Sequence, residues 1–125
     1  MPQWLDVGKD SFRAAQALTT GGRWRSSVSR AYYAAFSLVT DSLVCAGAGF
    51  ANQETPKHQA LANLVEQHLI KGRAQERRLL KSKLRTLYHA RINADYRLGI
   101  STDRQTALAA LADMVTIYQL LGVEL

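Results

Sequence analysis

Cysteine is almost absent from this 125-residue chain, in which Cys45 is the only example. A single thiol excludes an intramolecular disulfide framework and a cysteine-based metal site. Because apolar residues surround it, Cys45 is expected to be buried, reduced and structural. Strand signals are also missing, since valine, isoleucine and threonine rarely alternate with polar residues and hairpin dipeptides are few. The chain is therefore expected to fold from helices alone.

Long uninterrupted apolar runs are missing as well. Asp6, Lys9 and Asp10 interrupt the first ten residues, so no secretory signal peptide is expected. The longest apolar stretch, residues 31–50, contains Ser37, Thr40, Asp41 and Ser42, which predicts a buried helix and not a membrane span. We expect a cytoplasmic protein with no membrane association.

The composition is that of one soluble globular domain. Its apolar fraction of 47% and aromatic fraction of 8% are ordinary, and a chain of this size can bury roughly two thirds of its surface. The net charge is +6, and residues 71–85 hold seven basic residues against one acid. We define the basic patch as Arg77, Arg78, Lys81 and Arg85. Either an anionic partner or a solvated helix face explains it equally well.

Glycine and proline divide the chain into five predicted helices, at 2–20, 24–46, 55–72, 74–98 and 101–121. Gln105 follows Thr102 at the spacing of a capping box, which predicts the start of the fifth helix. The connections are short, so consecutive helices are expected to be antiparallel neighbours. The predicted fold of residues 1–125 is a single all-α, up-and-down bundle of five helices, four of them long core helices.

The second predicted helix is expected to be the central element of the bundle. Apolar residues cover more than half of its circumference, as they do in a buried helix. Its narrow polar stripe includes Arg30. An arginine on a buried helix needs a carboxylate partner or an exit to water. Arg30 is therefore interpreted first as a brace between two helices.

The fourth predicted helix has two apolar faces. Its expected core face consists of Leu80, Leu84, Leu87, Ala94 and Leu98. A second stripe, spaced by four residues on nearly the opposite side, consists of Tyr88, Ile92 and Tyr96. A helix with two apolar faces must bury both of them. The second face most simply covers another subunit, which predicts a homodimer interface at these three residues.

Polar residues flank that core face. Arg91 and Asp95 are four residues apart and form an i,i+4 pair. Asp95 is expected to accept from Arg91 and also from Arg30, which would tie two helices together. Asn93 lies between them and joins this bracing or binding set. His58, at the start of the third helix, is expected to close that helix or pack on the second one, with a phosphate contact as the alternative.

Three motifs in this order resemble the HEPN domain family: SRAYYAAF in the second helix, PKHQAL opening the third and RINADY in the fourth. The resemblance covers roughly residues 14–121 and is greatest to small stand-alone prokaryotic members. Many of these are encoded beside a minimal nucleotidyltransferase, in pairs that behave as toxin and antitoxin. The resemblance implies a bundle of four or five helices, a homodimer, a nucleotidyltransferase partner and RNA or a nucleotide as ligand.

Catalytic members of this family are metal-independent ribonucleases with an arginine followed, after four to six residues, by a histidine. Arg91 matches the arginine, but Tyr96 stands at the place of the histidine. A tyrosine, with an ordinary pKa near 10, is a poor base at neutral pH. His89 lies two turns earlier, about 10 Å along the axis, and cannot replace the histidine without a different position of the substrate. Arg91, Tyr96 and His89 remain the catalytic candidates, and the sequence favours a non-catalytic protein.

Three functions stay open on the sequence. The favoured one is a non-catalytic dimeric binding module that acts with a nucleotidyltransferase or another partner. The alternatives are a metal-independent ribonuclease toxin that uses Arg91 with a degenerate second group, and a structural helical oligomer without a ligand. No cofactor or metal is expected, because the three histidines lack metal-ligand spacing and no glycine-rich phosphate loop occurs.

Overall fold

The computed structural model describes residues 3–47, 58–68 and 74–123, without the side chains of Gln59, Ala62 and His68. These ranges contain helices and no strand, which confirms the predicted all-α fold. The helices are α1 (Trp4–Thr20), α2 (Trp24–Cys45), α3 (Leu61–His68), α4 (Ala74–Tyr96) and α5 (Arg104–Leu120), with a 3-10 helix at His58–Ala60. The predicted ends of the third helix, at 55 and 72, lie outside the described residues.

The central element is α2, as predicted, and it packs against the other four α-helices. Twelve of its 22 residues are buried. Small residues let neighbouring helices approach it closely. A Cβ atom added at Gly8 of α1 would lie 3.0 Å from the Tyr118 hydroxyl of α5 and 3.3 Å from the Ala34 carbonyl oxygen of α2. A side chain at position 8 would require its neighbours in α2 and α5 to shift by a few tenths of an ångström, which favours glycine where α1, α2 and α5 meet.

The core face of α4 is formed by Leu80, Leu84, Leu87 and Ala94, which are all buried. Leu98 was expected on the same face, but its side chain is 82% exposed. The prediction is wrong because α4 ends at Tyr96, so the helical periodicity no longer applies two residues later. Cys45 was expected to be buried and is exposed. It is the last residue of α2, where the helix leaves the core.

The start of α5 also differs from the prediction. Asp103 is the N-cap, and its carboxylate accepts hydrogen bonds from the backbone N–H of Thr106 at 2.9 Å and from the Thr106 hydroxyl at 2.9 Å. The predicted N-cap at Thr102 is therefore wrong by one residue, and the cap is formed by Asp103 with Thr106 instead of by Thr102 with Gln105. An aspartate at the N-cap satisfies one of the free N–H groups of the first turn and suits its positive dipole.

The relative directions of α2, α3 and α4 determine which of their side chains lie close together. His58 packs beside Tyr88, and Glu66 pairs with Lys81, so α3 is antiparallel to α4. The first turns of α2 contact the last turns of α4, so α2 is antiparallel to α4 as well. α2 and α3 therefore run in the same direction, against the expectation for consecutive helices. Ten residues separate Gly47 from His58, and a connection of that length does not enforce a hairpin.

An ion pair joins α4 to α5, since Lys83 Nζ lies 3.0 Å from the carboxylate of Asp113.

Among the helices of the described ranges, none has the length and apolar character needed to cross a membrane.

Candidate functional site

Arg91 of α4 is the centre of a polar cluster between α2 and α4. Its Nε donates to Asp95 Oδ2 at 3.0 Å. Its Nη2 donates to the hydroxyl oxygens of Tyr33 at 2.9 Å and of Tyr96 at 3.3 Å. The side chain is only 12% exposed. The guanidinium thus makes hydrogen bonds both to residues of its own helix, α4, and to a residue of α2.

Three tyrosine rings surround this guanidinium. Its Cζ lies 6.0 Å from the ring centroid of Tyr32, 5.3 Å from that of Tyr33 and 5.2 Å from that of Tyr96. Aromatic faces attract a cation at these distances. Burial by itself lowers the pKa of Arg91, but the oxygens of Tyr33, Tyr96 and Asp95 outweigh it and raise the pKa above its ordinary value. The cluster therefore holds a permanent positive charge.

Asp95 links the two helices through a residue that the sequence did not single out. Its Oδ2 accepts from the Ser29 hydroxyl at 3.1 Å as well as from Arg91. The expected partner Arg30 is exposed, and within the described ranges it makes no hydrogen bond or ion pair with Asp95. Successive residues of a helix point about 100° apart. α2 therefore directs Ser29, and not Arg30, towards α4.

Arg25 of α2 caps the carboxyl end of α4, a role that the sequence did not predict. Its Nη1 donates to the carbonyl oxygens of Asn93 at 3.1 Å and Ala94 at 3.0 Å, and its Nη2 donates to that of Ile100 at 2.7 Å. The last carbonyls of a helix lack partners within it and attract cations. Asn93 thus contributes a backbone oxygen. No local motif marks Arg25, because its partners lie 68 to 75 residues away.

His58 packs against α2, next to the tyrosine rings. Its Nδ1 lies 2.6 Å from the Tyr32 hydroxyl oxygen, and its ring centroid lies 4.4 Å from that of Phe36. Burial, and secondly the charge of Arg91, lower the pKa of His58. Burial also raises the pKa of Tyr32. Both groups are therefore held in their neutral forms at neutral pH.

The second apolar stripe of α4 is not uniform. Tyr88 is half-buried within its own chain, with its ring centroid 5.8 Å from that of Tyr32. Ile92 is half-buried, whereas Tyr96 is 67% exposed. Leu98 and Ile100, just past the end of α4, are exposed too. The surface left for the predicted dimer interface therefore lies at Ile92, Tyr96 and the residues after α4.

A pocket of about 210 Å³ opens between α3 and α4. Its lining includes the aromatic and imidazole rings of Tyr32, His58, Tyr88 and His89, and also Arg85. His89 is exposed, with its ring centroid 5.7 Å from that of Tyr88. The structure thus brings His58 and His89 to one pocket.

Three residues of the basic patch, Arg78, Lys81 and Arg85, line a shallow trough of about 490 Å³, together with Glu66. The trough shares Arg85 and His89 with this pocket. Lys81 is partly neutralised there, because its Nζ lies 2.7 Å from Glu66 Oε2. The hydrogen bond from Lys81, followed by its charge, lowers the pKa of Glu66. Within the described part of the chain, the arginines of the basic patch form no ion pair.

Metal binding finds no support in the described side chains, since no three histidine, cysteine, aspartate or glutamate residues among them converge on one point.

Comparison with known proteins gives one result. A model of the HEPN domain matches residues 1–124 of the chain. No curated protein and no solved structure matches it.

Proposed function

The chain belongs to the HEPN domain family, and from this premise we propose that it is a non-catalytic, dimeric binding module. In this proposal it acts with a nucleotidyltransferase partner in a toxin–antitoxin-like system concerned with RNA or nucleotides. The observation that supports the non-catalytic assignment concerns Arg91. Its guanidinium already donates hydrogen bonds to Asp95, Tyr33 and Tyr96 within the chain.

Cleavage of RNA through its 2′-hydroxyl needs a base that is active near neutral pH and a cation that can reach the phosphate. At the position where the family's ribonuclease signature has histidine, this chain presents the Tyr96 hydroxyl, which accepts a hydrogen bond from Arg91. The guanidinium is nearly buried under tyrosine rings. Both features favour a structural role for the signature arginine.

Dimerisation is supported by the exposed apolar residues at the end of α4. Tyr96, Leu98 and Ile100 are close in sequence and exposed, and Ile92 lies one turn before Tyr96. Clustered apolar residues on a surface are typical of an interface. An interface around a two-fold axis uses the same patch on both subunits. We propose that this surface is that patch.

The first test is incubation of the purified protein with RNA without added metal. We expect no cleavage by wild type or by Arg91→Ala. Cleavage by wild type that disappears in an Arg91→Ala variant of unchanged melting temperature would contradict the proposal. The partner is tested by a pull-down from the native host with identification by mass spectrometry, in which a nucleotidyltransferase is expected.

A ribonuclease remains the second candidate because of His58. The same two tyrosines, Tyr32 and Tyr33, contact both the His58 ring and the Arg91 guanidinium. An imidazole with a lowered pKa beside a fixed cation has the chemical groups of a base and a phosphate ligand. This candidate requires metal-independent cleavage that is lost in His58→Gln and in Arg91→Ala, without loss of folding in either.

A further inference from the structure

We propose that Arg25 is a positioning residue for self-association, because it fixes the turn after α4 in a form that presents Leu98 and Ile100 to a second copy of the chain. The turn consists of residues 97–100. The inference rests on the proposed dimer, since the turn is part of the surface proposed as its interface. It goes further by assigning the shape of that surface to a residue of another helix, α2.

The backbone of the turn is ordered. The Ile100 N–H donates to the Arg97 carbonyl oxygen at 3.1 Å, and the Arg97 N–H donates to the Asn93 carbonyl oxygen at 3.2 Å. These bonds join the turn to itself and to the end of α4. Within the described ranges, the only side-chain hydrogen bond that reaches the turn from another helix comes from Arg25, whose Nη2 donates to the Ile100 carbonyl oxygen at 2.7 Å.

The other hydrogen bonds of Arg25 connect the turn to the bundle. Its Nη1 donates to the carbonyl oxygens of Asn93 at 3.1 Å and Ala94 at 3.0 Å. One guanidinium therefore joins the last turn of α4 to the carbonyl of Ile100. The donors of a guanidinium have a rigid, planar arrangement. Their three acceptors are consequently fixed relative to one another, and the turn is fixed relative to α4.

Burial of apolar side chains does not explain why this turn is held. Leu98 is 82% exposed and Ile100 is 42% exposed, and residues 97–101 are all exposed. A segment that buries so little apolar surface gains little hydrophobic stabilisation within its own subunit. A charged side chain from α2 nevertheless binds it. The restraint therefore acts on the exposed surface and not on the core.

A fixed turn favours association because binding then has less freedom to remove. Ordering of loops and side chains at an interface costs free energy, and a segment already held in its bound conformation avoids that cost. Ile92 and the 67% exposed Tyr96 continue the apolar surface from the turn back along α4. A two-fold axis at this surface covers the exposed apolar residues of both copies at once, which favours a second copy as the occupant.

The first test measures dimer dissociation by sedimentation equilibrium. Arg25→Gln removes the charge and the contact with three carbonyls, and it should weaken the dimer by about tenfold or more. Arg25→Lys restores a cation at the end of α4 and should recover part of the affinity. Arg23→Gln is the matched control. Arg23 is exposed, lies two residues earlier and makes no side-chain hydrogen bond within the described ranges, so this variant should associate as wild type does.

Hydrogen exchange, followed by mass spectrometry, separates positioning from a general loss of stability. At a protein concentration below the dissociation constant of the dimer, the amides of residues 97–103 should exchange faster in Arg25→Gln than in wild type. Those of the buried middle of α2 should exchange as before. A variant that had only lost stability would exchange faster throughout the chain. If Arg25→Gln does not fold, Arg25→Lys replaces it, because one ammonium cannot reproduce the planar contact with three carbonyls.

A second pair of variants tests the apolar tip of the turn. Leu98→Ser should weaken the dimer without a change in Tm, because this side chain has little contact with its own subunit. Val44→Ser is the matched control. Val44 is 50% exposed and lies near the other end of α2, about 30 Å from Arg25 along the helix axis. Its replacement should leave association unchanged.

Three results overturn the proposal. They are equal dissociation constants for Arg25→Gln and Arg23→Gln, unchanged exchange at residues 97–103 in Arg25→Gln, and a Leu98→Ser variant that dimerises as wild type does. Each of them leaves the proposed function intact if wild type is a dimer that Ile92→Asp dissociates. A wild type that is monomeric at high concentration contradicts the proposed dimer itself, and this inference with it.

Discussion

Replacing Arg91 with alanine should destabilise the protein more than replacing Asp95 or Arg30. The substitution removes contacts with three tyrosine rings, each of which contributes about 0.5–1 kcal/mol at a partly exposed site. It also removes hydrogen bonds to Tyr33, Tyr96 and Asp95, which contribute about 1 kcal/mol together after allowance for solvent. We expect a loss of about 3 kcal/mol in the free energy of unfolding.

Asp95→Ala should cost less, about 1–1.5 kcal/mol, from one i,i+4 ion pair and one hydrogen bond with Ser29. Removing a buried carboxylate shared by two arginines would cost about 3 kcal/mol or more. The structure lowers this figure because the Asp95 side chain is 27% exposed and Arg91 keeps its tyrosine contacts without it. Arg30→Ala is the matched control and should stay within about 0.5 kcal/mol of wild type, since Arg30 is exposed.

Chemical denaturation at neutral pH, with thermal melting as a second measure, gives the three values. At this chain length, 1 kcal/mol corresponds to a shift of about 4 °C in Tm. The order of losses should be Arg91→Ala, then Asp95→Ala, then Arg30→Ala. An Arg91→Ala variant that melts with wild type would refute the bracing role. So would an Arg30→Ala loss as large as that of Asp95→Ala.

Four further outcomes are expected. Ile92→Asp should shift the protein towards monomer in sedimentation experiments, because it places a charge in the proposed interface. RNA binding, measured by fluorescence anisotropy, should weaken steeply as salt rises, and changing the whole basic patch to alanine should abolish it. Stability should fall as the pH drops below about 6.5, because burial and the charge of Arg91 lower the pKa of His58 and the unfolded chain then binds the proton more readily. Melting curves from pH 7.5 to 5 should show less of this loss in His58→Gln. Asp103→Ala should cost about 1 kcal/mol in denaturation experiments through loss of the α5 cap.

Each of these has an outcome that counts against it. A wild type that is monomeric at high concentration excludes the interface. RNA binding that survives in the basic-patch variant reduces the patch to a solvated helix face. A pH profile of His58→Gln that matches wild type assigns the acid sensitivity to other groups. An Asp103→Ala variant of full stability shows that the cap is dispensable.

The parts of the fold that the sequence predicted are those that depend on local periodicity. Leu80, Leu84 and Leu87 repeat at helical spacing, and all three are buried. The i,i+4 spacing of Arg91 and Asp95 brings their side chains together within a single helix. The apolar circumference of α2 likewise indicates burial on most sides. None of these features depends on which helix lies opposite.

The wrong predictions concern residues at helix ends, where the helical periodicity stops, and contacts that depend on how one helix is rotated against another. Cys45 and Leu98 lie at or beyond helix ends, so extending the helical pattern to them predicted burial that is not there. Asp95 pairs with Ser29 and not with Arg30, because the rotation of α2 about its axis depends on packing against four helices. A one-residue error in that rotation changes the predicted partner completely.

The side chains around Arg91 belong to α2 and α4. Arg25 of α2 binds both the end of α4 and the segment that follows α4. By bonding to the carbonyls of Asn93, Ala94 and Ile100, Arg25 fixes the last turn of α4 and the segment after it. That position leaves Tyr96 with its hydroxyl on Arg91 and most of its surface exposed. In the proposed dimer, a second subunit at this surface would meet the tyrosine ring before the guanidinium. The signature arginine is covered from inside by α2 and from outside by Tyr96, as a bracing residue requires and a phosphate ligand does not.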